Sequence, residues 1–345
     1  ARVQDVSLTY ARHLPRLVDA DGQMTIYDHR FAVAVDRGRA VPPEGGSLDA
    51  TGTTFVIPDM RERPARGEVS LRASGPLVAA LSYLDSPKLE VMQKANKPVA
   101  LGEGAVSVEG RIELPLKKGV QREEMTVTAT GTVQGFSSTE VVPGRTLSAD
   151  RLALDLDDDR LVISGTADMS GIPFDGRWEQ SLIPGEGSRV EGQVALSQPV
   201  VEALGVTLAD GTISGRGTGA LSIALDKGAP PRFSLTSSLA GVGLSLPQIG
   251  WRLSQRQTGR FEISGSLGKP VTVDRLALSG NGLDTSGTVT LDANGKFSRL
   301  ELPRLKVGGW LDGAAVLSAR GQGRAPAVAL SGALLDMRRA PFGTG

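Results

Sequence analysis

The residues of this chain whose type and spacing could carry chemistry are few: two histidines, an acidic run and one Gly-x-Gly. His13 and His29 stand far apart, and a metal ligand or general base needs a partner at short spacing. Cysteine is absent, which removes thiol nucleophiles, Cys-based zinc sites and disulfides and leaves the redox compartment open. Asp155-Leu-Asp-Asp-Asp159 lacks the Gly-containing frame of a calcium loop and reads as a solvated turn between Leu154 and Leu161. Asp19-Ala-Asp-Gly22 reads as a hairpin turn. Gly215-Arg-Gly-Thr-Gly219 lies within an alternating strand rather than between a strand and a helix, so it fails the context of a dinucleotide loop. No nucleophile elbow, phosphate loop or carboxylate pair emerges, so neither an enzyme nor a cofactor or metal is expected. With 38 basic and 38 acidic residues the formal net charge is zero, which argues against nucleic-acid binding.

The information lies instead in the pattern between these residues. In Ala105-Val-Ser-Val-Glu-Gly-Arg-Ile-Glu-Leu-Pro-Leu116 the even positions are apolar or small and most odd ones polar, the period of a strand with one buried face. Its central pentad, apolar-polar-Gly-polar-apolar, returns at Ala129-Thr-Gly-Thr-Val133, Ile163-Ser-Gly-Thr-Ala167, Phe174-Asp-Gly-Arg-Trp178, Val190-Glu-Gly-Gln-Val194 and Ile263-Ser-Gly-Ser-Leu267. The fold class expected is mainly β: a long, twisted antiparallel sheet of one-faced strands, spaced by turns as in a meander. Single strands are expected over 3–10, 48–57 and 213–225, and Ala293-Asn-Gly295 is read as a hairpin turn.

One stretch departs from the pattern. Residues 76–96 place Leu77, Leu81 and Leu84 at helical spacing, then Ser86 as cap of a second short helix beginning at Pro87 and presenting Leu89 and Met92. This insertion either packs over an end of the apolar face or acts as a gate to it. A further short helix is expected over 198–204. The organisation predicted is one continuous segment over 1–345, with N-terminal strands (1–75), the helical insertion (76–96) and repeated strands (104–338).

In most of these pentads the glycine shares a face with its apolar neighbours. Two readings of that placement stay open: a bend that makes the apolar face concave, or a bulge or close packing against a facing sheet. With almost no helix to cover them, the apolar faces either close on each other as sandwiches or form a trough that an acyl chain would fill.

The order of elements resembles the AsmA-like superfamily, specifically its YhdP-type branch of large bacterial envelope proteins related to TamB. The resemblance is carried by an opening strand before Leu14-Pro15, Phe55-Val-Ile-Pro58, Gly75-Pro-Leu-Val-Ala-Ala-Leu-Ser-Tyr-Leu-Asp-Ser-Pro87, Val108-Glu-Gly-Arg-Ile-Glu-Leu-Pro-Leu116 and Ile163-Ser-Gly-Thr-Ala-Asp-Met-Ser-Gly-Ile-Pro-Phe-Asp-Gly-Arg-Trp178. It implies a U-shaped, taco-like hydrophobic β-groove in the periplasm that takes phospholipid acyl chains and passes lipid between the inner and outer membranes. An inner-membrane anchor and contacts with both membranes would lie in further parts of the protein; the sequence itself has no apolar leader or spanning run.

On this reading Val106, Val108, Ile112, Leu114, Val127, Val133, Ile163, Phe174, Trp178, Val194, Ile213, Ile223, Leu235 and Ile263 line the groove. Gly110, Gly131, Gly165, Gly176, Gly192, Gly215 and Gly265 bend it, and Leu77, Leu81, Leu84 and Met92 belong to the cover or gate. The alternative is a closed β-sandwich array serving as an envelope scaffold or adhesin.

Overall fold

The structure, a computed structural model, describes residues 1–203, 211–268, 270–292, 295–321, 324 and 326–340. Strand makes up 58% of it and helix 7%, a mainly antiparallel β fold as the alternating pattern predicts. Two compact units are formed, Ala1–Ser170 with Glu179–Pro184, and Gly171–Trp178 with Gly185–Gly345. Among the described residues no helix is long and apolar enough to cross a membrane.

In the first unit, strands Arg2–Leu8, Leu17–Tyr27 and Arg30–Ala40 are followed by Arg66–Pro76, Glu103–Pro115, Thr126–Ser138, Leu147–Leu156 and Arg160–Met169. Each pairs antiparallel with its neighbour in sequence, apart from the step from Arg30–Ala40 to Arg66–Pro76. That step runs through two short strands, Leu48–Asp49 and Thr54–Ile57, rather than the single one expected over 48–57. Asp49 turns the chain between them, its Oδ1 accepting from the Thr51 N–H at 2.8 Å. Asp19-Ala-Asp-Gly22 is not a hairpin turn. It lies inside Leu17–Tyr27, where the register shifts on either side of Asp21, and Asp19 takes φ +49; the chain reverses instead at Asp28-His29.

The helical insertion forms Leu77–Leu84 and Val91–Lys94. Ser86 and Pro87 do not start the second helix. Asp85 reaches across the intervening turn, its Oδ1 accepting the N–H groups of Met92 and Gln93 at 3.0 Å each, so a carboxylate closing the first helix caps the second. The later helix is observed as Gln198–Ala203; Leu204 lies outside the described residues, as do Ala293 and Asn294 of the expected hairpin turn.

The second unit repeats the meander through Ser188–Leu196, Gly217–Leu225, Arg232–Ser237, Arg260–Ser266, Thr272–Gly280, Leu283–Leu291, Phe297–Val307, Leu311–Ser318 and Ala327–Leu335. The strand expected over 213–225 is broken. Gly215 takes φ +74, a conformation that favours glycine, and hands the chain from one sheet to another. Ile213–Gly215 therefore pairs with Val242–Leu246, which pairs with Trp251–Leu253, in a separate three-stranded sheet. Its side chains Val242, Trp251 and Leu253 form a core with Leu283, Leu302, Leu305, Val307, Trp310, Leu311 and Ala315. The Trp251 indole N–H is satisfied by the carbonyls of Gly280 and Asn281 at 3.0 and 3.2 Å.

Candidate binding face

Directly paired residues of an antiparallel sheet share a face, so the registers trace rows across the strands. In the first unit Met24, Val33, Phe55, Val69, Ile112 and Val127 are paired in succession. Ala73, Val108, Gly131, Leu154 and Ile163 form a second row, and Gly75, Val106, Val133 and Leu152 a third. The second unit has a longer one: Val190, Ile223, Phe233, Gly265, Val273, Val289, Leu300, Leu317 and Val328. At about 4.8 Å per strand these nine residues extend roughly 38 Å. Beside it runs Gly192, Leu221, Leu235, Ile263, Leu276 and Gly287. None of these residues is charged.

Burial is unequal along the strands. Val106 (7% exposed) and Val133 (5%) are buried, as are Leu17, Ala40 and Leu48 at the same end of the first sheet. Val108, Ile112, Leu114, Val127 and Ile163 are only half-buried. The second unit behaves likewise: Leu283, Val307 and Leu311, one paired row, are buried with the small sheet's core, while Val190, Ile223, Phe233, Leu235, Ile263, Val273 and Val289 are half-buried. Phe174 and Trp178 are half-buried and Val194 is buried. The accessible surface of the chain is 20652 Å² for 36.0 kDa. Even two separate globules sharing that mass would expose only about 16,000 Å².

The opposite faces are polar. Arg111 bridges Glu68 and Glu113, which pair directly, at 3.2 and 2.9 Å; Arg72 meets Glu109 at 3.3 Å, Arg177 meets Glu191 at 2.9 Å, and Arg275 meets Glu262 at 3.0 Å. Exposed pairs of this kind add little stability individually, but they keep that side in water.

The pentad glycines fall into two groups. Gly110, Gly131 and Gly192 sit in unbroken register, and a Cβ on them would come within 2.8, 2.5 and 2.3 Å of a neighbouring strand's carbonyl oxygen. An ordinary Cβ stands clear of the adjacent strand, so here neighbouring backbones approach more closely than any residue but glycine allows. Gly265 instead marks a bulge, the register shifting between Ser264 and Gly265. Gly176 faces Gly192, and Gly165 lies against the Arg151 carbonyl.

Two sequence-predicted site residues lie elsewhere. Ile213 is not on the long rows but packs with the small sheet against the second unit's core, and Gly215 is the chain's switch point rather than a bend within a strand. In the insertion, Leu84 is exposed, Leu77 and Leu81 are half-buried, and the buried side chains are Ala79, Ser82, Ser86 and Met92. Small residues face inward because the loop at Glu44-Gly45 comes close: a Cβ on Gly45 would lie 2.3 Å from the Ala79 nitrogen, and the Glu44 N–H donates to Ser82 Oγ at 3.1 Å.

The Tyr83 hydroxyl meets that of Tyr10 at 2.7 Å; burial pushes both phenols up from their ordinary value, and for Tyr10 the bond to Tyr83 adds to the effect. Sequence reasoning missed this pair, along with the tryptophan-centred core of the second unit. Among the described residues no group of three or more His, Asp or Glu is placed to hold a metal ion. Of the run read as a turn, Asp155 and Leu156 belong to the strand Leu147–Leu156, and only Asp157–Asp159 form the turn, in which Asp157 Oδ1 accepts the N–H groups of Asp159 and Arg160 at 2.9 Å each.

Compared with known protein families, curated proteins and solved structures, the chain has no significant match in any of the three.

Proposed function

We propose that this chain is a segment of a bridge-like lipid transfer protein of a bacterial envelope. Its apolar β-groove would shield phospholipid acyl chains in the periplasm, between an inner membrane to which the whole protein is anchored and the outer membrane. The observation that carries this reading is the incomplete burial of uncharged rows that cross many strands, above all the row from Val190 to Val328, in which every residue but Gly265 keeps part of its surface exposed. The rows are aliphatic in the main, in a chain with only 4% aromatic residues, and suit a flexible hydrocarbon better than a planar ligand. Burial favours a tail by about 0.8 kcal/mol per CH₂, and recurrence of similar side chains from strand to strand gives no one position a strong preference. Passive sliding follows, with no catalytic residue. In a closed sandwich Val108, Ile112 and Ile223 would be as buried as Leu253, and they are not.

Lipid extraction and native mass spectrometry of purified protein test the proposal, together with a photo-crosslinker at Ile112. Co-purified phospholipid and lipid adducts at Ile112 are expected. Protein-only adducts, with no bound phospholipid and no uptake of a fluorescent one, would refute the groove in favour of the sandwich scaffold.

A further inference from the structure

The helical insertion differs from the sheet beneath it in how it is held. It packs on the strands Arg66–Pro76 and Glu103–Pro115 at the end where Leu48, Val106 and Val133 are buried. Two residues further along those strands, Ala73 and Val108 are half-buried, so on these two strands burial is complete only at the end where the insertion packs. Its side-chain bonds to the rest of the unit are the Tyr10–Tyr83 hydroxyl pair and the bond from the Glu44 N–H to Ser82 Oγ. Its backbone is strained, with Lys88, Glu90 and Asn96 all at left-handed φ values of +80, +50 and +51. The Ser86 hydroxyl is buried with no hydrogen-bond partner, an unfavourable state that release would relieve. Asp85 ties the two helices into one piece, and glycines bracket that piece, Gly75 before it and Gly102 and Gly104 after it.

We infer that residues 77–97 form a displaceable lid over one end of the first unit's apolar face. Its release exposes Val106 and the strand ends beside it as further rungs for an acyl chain. The acyl-chain occupant rests on the groove reading above; the opening itself does not. Opening extends the half-exposed rows to the end of the strands and gives a tail a way on or off the wall that avoids sliding its full length.

The parent chain has no cysteine, so Val106→Cys and Ile112→Cys each provide the sole thiol. Maleimide should label Ile112→Cys readily and Val106→Cys slowly. Adding Ser82→Ala and Tyr83→Phe, which removes both anchoring bonds, should speed labelling of Val106→Cys about tenfold and leave Ile112→Cys unchanged. Circular dichroism checks that the sheet persists; if the double change melts it, Tyr83→Phe alone is used, since it deletes a hydroxyl and little volume. An unchanged Val106→Cys rate, or a parent rate equal to that of Ile112→Cys, overturns the lid. Phosphatidylcholine vesicles carrying photoactivatable tails separate the two ideas. Capture by Ile112→Cys protein with no change at Val106 sinks the lid alone, whereas absence of capture sinks the groove while the thiol rates still decide whether the insertion opens.

Discussion

The ring of Phe174 lies over Gly192: a Cβ built on that glycine would stand 2.6 Å from Phe174 Cζ, and 2.3 Å from the Asp175 carbonyl oxygen. Gly176 meets the same ring from the other side of the pair. An aromatic side chain laid across facing glycines restores the apolar contact that two missing side chains forfeit, while the backbones approach more closely than any other residue allows.

Gly192→Val is therefore expected to cost about 2–4 kcal/mol, the upper range of overpacking with backbone shift. Gly228→Asn, at φ +76 with nothing within 4 Å of the added Cβ, should cost little, because asparagine tolerates that conformation. Urea titrations followed by tryptophan fluorescence make the comparison, since Trp178, Trp251 and Trp310, the only three tryptophans, all lie in the second unit. Equal midpoints for the two variants would show that the close approach is not tight.

Truncations distinguish an open face from a closed one. Leu253, 1% exposed within the core, should lose about 3–5 kcal/mol on Leu253→Ala, as fully buried leucines do. Ile223, half-buried on the long row and outside that core, should lose less than about 1.5 kcal/mol on Ile223→Ala, because it surrenders less buried area and leaves no sealed cavity. Similar losses at both positions would mean that the row is covered.

The tyrosine pair gives the first unit its own alkaline signature. Tyr10, Tyr27 and Tyr83 are the only tyrosines, and all lie in that unit. Burial raises the phenol pKa of Tyr10 and Tyr83 in the folded state, so the native form holds these protons more tightly than the unfolded chain. The resulting stability is present below the unfolded value of about 10 and is lost as pH rises above it. Tyrosinate absorbance should show two late-ionising groups, and Tyr83→Phe should flatten the loss of stability above that pH. Ionisation of all three phenols at the ordinary value would contradict the pairing.

Asp85 has the opposite sign. The Gln93 N–H, the largest influence on it, holds its carboxyl below the usual range, with the Gln93 side chain and the Met92 N–H adding to the effect. Its contribution is present above the unfolded carboxylate value of about 3.9 and is lost as pH falls through the lowered native one. The melting-temperature difference between the parent and Asp85→Asn should be largest near neutrality and vanish in acid. A difference independent of pH would mean that Asp85 acts through packing alone.

Much of this architecture was legible because a strand's face is written at period two. Val106, Val108, Ile112 and Val127 took the face their alternation assigned, and cross-strand register then aligned faces already apolar. What failed were the points where backbone geometry overrides side-chain pattern. Gly215-Arg-Gly217 fits the strand period, yet two glycines around one arginine let the chain leave one sheet for another. Ser86-Pro87 has the form of a helix start, but Asp85 captured the later N–H groups first. Leu84 had the spacing of a buried face, yet a backbone contact at Gly45 favoured the smaller Ala79 and Ser82 inside. The core around Trp251 had one signal: short alternating runs, Val242-Gly-Leu-Ser-Leu246 and Trp251-Arg-Leu253, holding one of only three tryptophans.

Within each meander, strands adjacent in the sheet are also adjacent along the chain, with few exceptions. Gain or loss of one hairpin would lengthen or shorten such a wall by about 10 Å and leave every remaining side chain facing as before, because two strands preserve direction and a whole turn preserves face. Reach thus becomes a countable, heritable quantity, adjustable by duplication in steps of two strands, as in other proteins whose parts touch only their neighbours. A distance to be spanned can select the number of hairpins without any change to the rest of the sheet.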